Sequence, residues 1–208
     1  LSEGSYLLTV KATDAAGNTS PVSNEVAFII ETTAPGKPTI TTDVTTTNDT
    51  KPLIVGTAEA GSTVTLFVDG TSTGVITTAD GSTGEYTITS PALTAGSSYA
   101  LTVTATDAAG NTSAESESVT FTIDTSAPGK PTISTPDTTT NNTTPTISGT
   151  AEAGSTVRLF SGSTELGITT TNSDGVFTIV SPPLSAEQDT SFVFTVTATD
   201  TAGNTSAE

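Results

Sequence analysis

The chain has 208 residues, of which five are basic and 22 acidic, giving a formal net charge of −17. Cys, Met, Trp and His are all absent, which removes disulfides, thiolate nucleophiles, imidazole bases and most transition-metal ligands. The charge repels nucleic acid and anionic lipid surfaces, no apolar run approaches the roughly 20 residues of a membrane helix, and the natural small partners are cations. No basic, apolar leader opens the sequence, so an export signal is expected outside it. Abundant Thr, Ser, Gly and Pro with a high net charge also suit disorder, but regular apolar alternation argues against it.

Self-comparison decides the architecture before local propensity does. Ala34-Pro35-Gly36-Lys37-Pro38 returns at Ala127 to Pro131, and Gly56 to Val64 returns at Gly149 to Val157; both shifts are 93 residues (127 − 34 and 149 − 56). Asp14-Ala15-Ala16-Gly17-Asn18-Thr19-Ser20 recurs at Asp107 to Ser113 and, with Thr201 in place of the first Ala, at Asp200 to Ser206. A unit of about 93 residues is the size of an immunoglobulin-type sandwich of about seven short strands.

In chain order, residues 1–31 read as the F and G strands of a truncated domain, 32–124 as a complete domain, and 125–208 as a domain lacking its last strand. The first piece is expected to be a weakly held or neighbour-paired hairpin. In the complete unit, strands are predicted at Pro38–Thr41 (A), Lys51–Thr57 (B), Thr63–Val68 (C), Gly74–Thr78 (C′), Glu85–Thr89 (E), Tyr99–Thr106 (F) and Ser118–Asp124 (G). Tyr99, Leu101, Val103 and Ala105 alternate with polar residues, as do Val119, Phe121 and Ile123, so one face is apolar and one is wet. Tyr6, Leu8, Val10 and Ala12 repeat this prescription, as do Phe192, Phe194, Val196 and Ala198. The expected fold is all-β, a rod of tandem immunoglobulin-like β-sandwich repeats.

The Ala-Pro-Gly-Lys-Pro linker, Gly-Thr-Ala-Glu-Ala-Gly-Ser-Thr-Val and Ala-Thr-Asp-Ala-Ala-Gly-Asn-Thr-Ser, in fixed order at a fixed period, resemble the bacterial Ig-like repeats of giant non-fimbrial adhesins and biofilm-associated proteins. The resemblance covers essentially the whole chain. It implies type I secretion, a place outside the bacterial cell or on its surface, long rods and Ca2+ near domain junctions. It also implies that neighbouring repeats are the direct partners, and that a host or surface receptor is bound elsewhere in the parent protein.

One constellation carries chemistry. In a sandwich of this kind the B–C and F–G loops face the end of the preceding G strand. That brings Glu31, Glu59 and Asp107 to one pole and Asp124, Glu152 and Asp200 to the next. Crowded carboxylates repel or protonate unless a cation neutralises them, and Ca2+ accepts six to eight such oxygens in flexible geometry. Asn111 and Asn204 are candidate amide-oxygen donors, although a Gly-Asn pair is explained more simply as a turn element tolerating left-handed conformation. The plainer readings are an Asx-turn at each Asp, a solvated Glu59, and strand-ending Glu31 and Asp124; Asp43, Asp80, Asp137 and Asp174 default to turn chemistry.

The expected function is a structural stalk stiffened by Ca2+, with no catalytic residues. The alternatives are a carbohydrate-binding sandwich, for which Phe67 and Phe160 are the out-of-phase aromatics, a flat Thr ladder of the ice-binding kind, and a cross-linked pilin-type domain. Lys11 aligns with Thr104 and Thr197, so no buried Lys recurs to support the last of these. The Asn-Xaa-Ser/Thr triplets at Asn18, Asn111 and Asn204 formally match glycosylation acceptors and read as turns in a bacterial chain.

Overall fold

A computed structural model describes residues 1–43, 46–185 and 191–208. Among them the regular structure is strand throughout: β1 (Gly4–Leu8), β2 (Val26–Ile30), β3 (Thr39–Ile40), β4 (Thr46–Thr47), β5 (Leu53–Thr57), β6 (Thr63–Val68), β7 (Thr71–Thr78), β8 (Glu85–Thr89), β9 (Ser97–Thr106), β10 (Val119–Ile123), β11 (Thr132–Ile133), β12 (Thr146–Thr150), β13 (Thr156–Ser161), β14 (Thr164–Thr170), β15 (Val176–Val180) and β16 (Phe194–Thr199). Thr, Val and Ile dominate these segments because β-branching fits the pleated surface. By backbone proximity the chain divides into two compact units, one of residues 1–42, 53–89 and 101–118, the other of residues 43–52, 90–100 and 119–208.

In the first unit, β1 and β2 form an antiparallel hairpin from Gly4↔Ile30 to Leu8↔Val26. The antiparallel sheet β3-β5-β8 pairs Ile40 with Gly56 and Gly56 with Tyr86. Strand β6 lies between β7 and the later half of β9. A two-residue turn, Asp69-Gly70, joins β6 to β7 and holds both residues at positive φ (50° and 73°), the geometry that matches the twist of a hairpin. Ile54, Val64, Leu66, Tyr86, Ile88, Leu101, Val103 and Ala105 are buried.

In the second unit, β4 runs parallel to β10, pairing Thr46 with Thr122 and Thr47 with Ile123. The later sandwich is built from sheets β11-β12-β15 and β14-β13-β16. Its core joins Ile147, Val157, Leu159, Phe177, Ile179, Val196 and Ala198, with Ile133, Leu166 and Phe194 against it.

The strands predicted for the complete repeat are present, with shifted ends. The first shortens to Thr39–Ile40 and C′ lengthens to Thr71–Thr78. Strand β4 was not foreseen, because two threonines carry no alternation to read. Phe67 and Phe160 are half-buried rather than displayed on the surface.

Candidate functional site

Each candidate pole is organised by the Asp-Xaa-Xaa-Gly-Asn loop that follows an F-type strand. In the loop after β9, Asp107 Oδ1 accepts the backbone N–H of Ala109 and of Asn111, each at 2.9 Å. Its Oδ2 accepts Asn111 Nδ2 at 2.8 Å. The loop closes through Asp107 N–H to the Asn111 carbonyl at 3.0 Å, with Gly110 at φ 95°. The next two residues stitch the loop back to the strand. Thr106 and Thr112 share a hydroxyl contact of 2.9 Å, and Ser113 Oγ, nearly buried, accepts the N–H of Ala105 at 3.0 Å. Asp200 repeats the pattern with Asn204 N–H at 2.9 Å and Nδ2 at 2.8 Å, and Ser206 Oγ accepts the N–H of Ala198. Asp14 builds the same loop with Ala16 and Asn18. The Asx-turn reading of these aspartates therefore holds at all three copies, and the motif's Thr-Ser ending, which the sequence reading left without a role, ties loop to strand.

The other acidic residues have distinct local tasks. Glu31 Oε1 accepts the N–H of Thr33 at 2.8 Å and Asp124 Oδ1 that of Ser126 at 2.9 Å, so each bends the chain into the linker that follows. The linker prolines Pro35, Pro38, Pro128 and Pro131 are all buried. Glu59 and Glu152 are exposed and act through their carbonyls, which cap the N–H and Oγ of Ser62 and of Ser155. Asp80 Oδ1 accepts the N–H of Ser82 and Thr83, as its turn assignment requires. Asp174 does not hold its own turn: Asn172 Oδ1 accepts the N–H of Asp174 and Val176.

Glu31, Glu59 and Asp107 line one open cleft together with Ile29, Thr33 and Ala60, so the first three candidates share a pole. Asp124 and Asp200 are linked through Asn204, while Glu152 keeps an exposed side chain. Oxygen-rich donors of this kind suit Ca2+ chemically. Among the described residues no three His, Cys, Asp or Glu side chains are already gathered around one point. Both asparagines turn their NH2 groups toward acceptors.

The charge pattern shows in the carboxyl affinities. Hydrogen bonding from the Asn111 side chain holds Asp107 below the ordinary aspartate value, and the Asn18 side chain does the same for Asp14. Burial pushes Asp200 up, but hydrogen bonds from the side chain and backbone of Asn204 and from Ala202 and Gly203 outweigh it. The Thr33 N–H lowers Glu31, against the like charge of Asp107, which raises it. A folded value below the unfolded one gives stability that is complete above the unfolded pKa, about 3.9, and is lost as pH falls through the folded value. The three loops are thus expected to persist unchanged from pH 7 to about 4 and to loosen only below it. Side-chain amide signals of Asn18, Asn111 and Asn204 followed by NMR should have midpoints below that of a free aspartate. A midpoint at or above the free value would show that the amides do not bind the carboxylates.

Two relatives match the chain. Exoglucanase B of Cellulomonas fimi is 35% identical over 97% of this chain and 19% of its own length. Chitinase A1 of Niallia circulans is 40% identical over 58% of this chain and 18% of its own. The chain thus spans about a fifth of the length of either. Among solved structures, a biofilm-associated protein BSP domain aligns over 83% of this chain and 28% of its own, with 24% identity and a TM-score of 0.31. Fibronectin(III)-like modules of Clostridium thermocellum CbhA align over 60% and 64%, with 19% identity and a TM-score of 0.40. A bacterial Ig-like domain model matches residues 38–125 and again 129–208, and the chain therefore belongs to the bacterial Ig-like domain family as two repeats in tandem.

Proposed function

We propose that the chain is a non-catalytic spacer of an extracellular bacterial protein, a row of sandwiches that sets a distal domain at a distance. The observation that carries this reading is the copying of burial from repeat to repeat. Strands β5 and β12 have the same inward and outward sequence of positions, as do β6 and β13, and β8 and β15. Residues are repeated where they fill a core or close a loop, which is what an array of identical spacers requires. The parent protein is proposed to be an adhesin or biofilm protein of the bacterial surface. The glycan-processing names of the two relatives support a second setting, a spacer inside a modular secreted enzyme.

Carbohydrate binding by the repeats themselves is the weaker reading. A sugar platform needs displayed aromatic faces, and Phe67 and Phe160 are half-buried while Phe121 and Phe177 are almost fully enclosed.

Small-angle scattering on the chain, and on a version with one more repeat, tests the spacer. Each added repeat should lengthen the maximum dimension by roughly 30–40 Å, from its longest strand, ten residues in β9 at about 3.3 Å each, plus the linker. An unchanged dimension would overturn the reading. Stiffening by Ca2+ stays part of the proposal and has its own check in the same measurement. Calcium titration by calorimetry, with scattering in chelator, should show heat and a change in dimension; silence in both removes the ion and leaves the spacer.

A further inference from the structure

The acidic poles contain a contact that neither the stalk reading nor the cation requires. Asn111 Nδ2, already bonded to Asp107 Oδ2, gives its second hydrogen to the main-chain carbonyl of Glu31 at 3.2 Å. Asn204 Nδ2 does the same to the carbonyl of Asp124 at 2.8 Å. In both cases donor and acceptor lie 80 residues apart. We propose that Asn111 and Asn204 are the fasteners of the repeat joints: each seizes, without a metal, the carbonyl with which the preceding G-type strand ends. This deepens the spacer reading and rests on it.

Three observations carry the proposal. The amide faces a carboxylate oxygen on one side and a carbonyl oxygen on the other, so only its NH2 group fits; the reverse orientation would set three oxygens against one another. The acceptor belongs to the main chain, so the bond survives the change from Glu31 to Asp124, whereas a carboxylate-held ion would see its ligand retreat by a methylene. The third observation is that the same loop closes through its own hydrogen bonds. Asn18 makes the same loop, with Gly17 at φ 90° against 95° for Gly110 and Gly203, and bonds Asp14 in the same way. The hydrogen bonds that close the loop are thus separate from the grip that Asn111 and Asn204 have on a strand end.

The Asp in each loop is then a positioning residue. Its Oδ2 fixes the plane of the amide, which aims the remaining hydrogen outward. The acidic residue ending the strand contributes from the other side, since its own carboxylate turns the linker through Thr33 or Ser126. Loop and linker thus meet at one carbonyl.

The test uses the whole 208-residue chain. Asn204→Ala should speed amide hydrogen exchange at Thr125, Ser126 and Ala127 about five- to tenfold, the factor expected for one half-buried hydrogen bond. Asn111→Ala should do the same at Thr32, Thr33 and Ala34. Asn18→Ala should leave both linkers unchanged, and so should EDTA added to the unaltered chain. A measurement without any variant is the scalar coupling across the bond between Asn204 Nδ2 and the Asp124 carbonyl carbon, which is expected to be visible in chelator. The proposal is overturned if Asn204→Ala leaves linker exchange unaltered, if Asn18→Ala reproduces its effect, or if EDTA does so. An absent coupling overturns it as well. None of these results alters the scattering length per repeat, so failure of the fastener and failure of the spacer are separable.

Discussion

Replacing Gly56 by alanine is expected to destabilise its sandwich by about 3 kcal/mol, and Gly149→Ala to do the same in the following one. Neither glycine is at a turn; each lies inside a strand, where glycine normally weakens pairing. The reason is a close approach from two directions. A Cβ on Gly56 would run into the Thr39 carbonyl oxygen and lie 2.7 Å from Cζ of Tyr86; on Gly149 it would meet the Thr132 carbonyl and lie 2.6 Å from Cζ of Phe177. The neighbours cannot withdraw cheaply. Thr39 is paired to Thr57 in the sheet, and the Tyr86 hydroxyl donates to the Thr39 carbonyl at 2.8 Å. The same burial drives the Tyr86 phenol pKa up. Strand β3 would have to leave β5, or Tyr86 its place in the core. For a domain of this size the loss lowers the melting temperature by roughly 12–24 °C. Gly36→Ala is the control, since nothing lies within 4 Å of a Cβ there and its change should stay within about 0.5 kcal/mol. A loss below about 1 kcal/mol at Gly56 would mean the sheet relaxes far more readily than its pairing implies.

The glycine also shows what a sequence can carry. Gly56 and Gly149 stand out as repeated residues, and the 93-residue period with its alternating apolar positions is enough to place the sandwiches and most of their strands. The partner of each glycine is not readable, because Thr39 and Tyr86 reach it through strand order. Strand β4 escaped for a similar reason: its pairing with β10 is parallel and long-range, and two threonines announce nothing. At the poles, the acidic residues were legible as a set because charge repeats with the fold. Their roles were not. The aspartates serve their own loops, the glutamates of the B–C turns act through carbonyls, and the decisive acceptor is a main-chain oxygen, for which no residue type is a sign. By sequence the asparagines are turn residues or candidate oxygen donors, and neither reading points to the bonds their nitrogens make.

Equivalent residues need not have equivalent worth, and the third prediction turns on that. Phe28 and Phe121 occupy the same place in the repeat, 93 residues apart (121 − 28), and by pattern alone both are core. Phe121 is 1% exposed and Phe28 is 50% exposed. Around them the contrast continues, with Leu101 and Val103 fully buried where Leu8 and Val10 are 44% and 72% exposed. Phe121→Ala removes a ring from a close-packed interior and leaves a void, so it is expected to cost about 3–5 kcal/mol in the complete repeat. That is a large part of the 5–15 kcal/mol typical of a domain, and folding at 37 °C should be compromised. Phe28→Ala removes a ring that water already reaches from one side, and the cost should not exceed about 1 kcal/mol. Denaturant titration of the two variants decides the matter, because the midpoint of the main transition should move for Phe121 and hold for Phe28. Equal losses would mean that the apolar face of the β1–β2 hairpin is covered in solution.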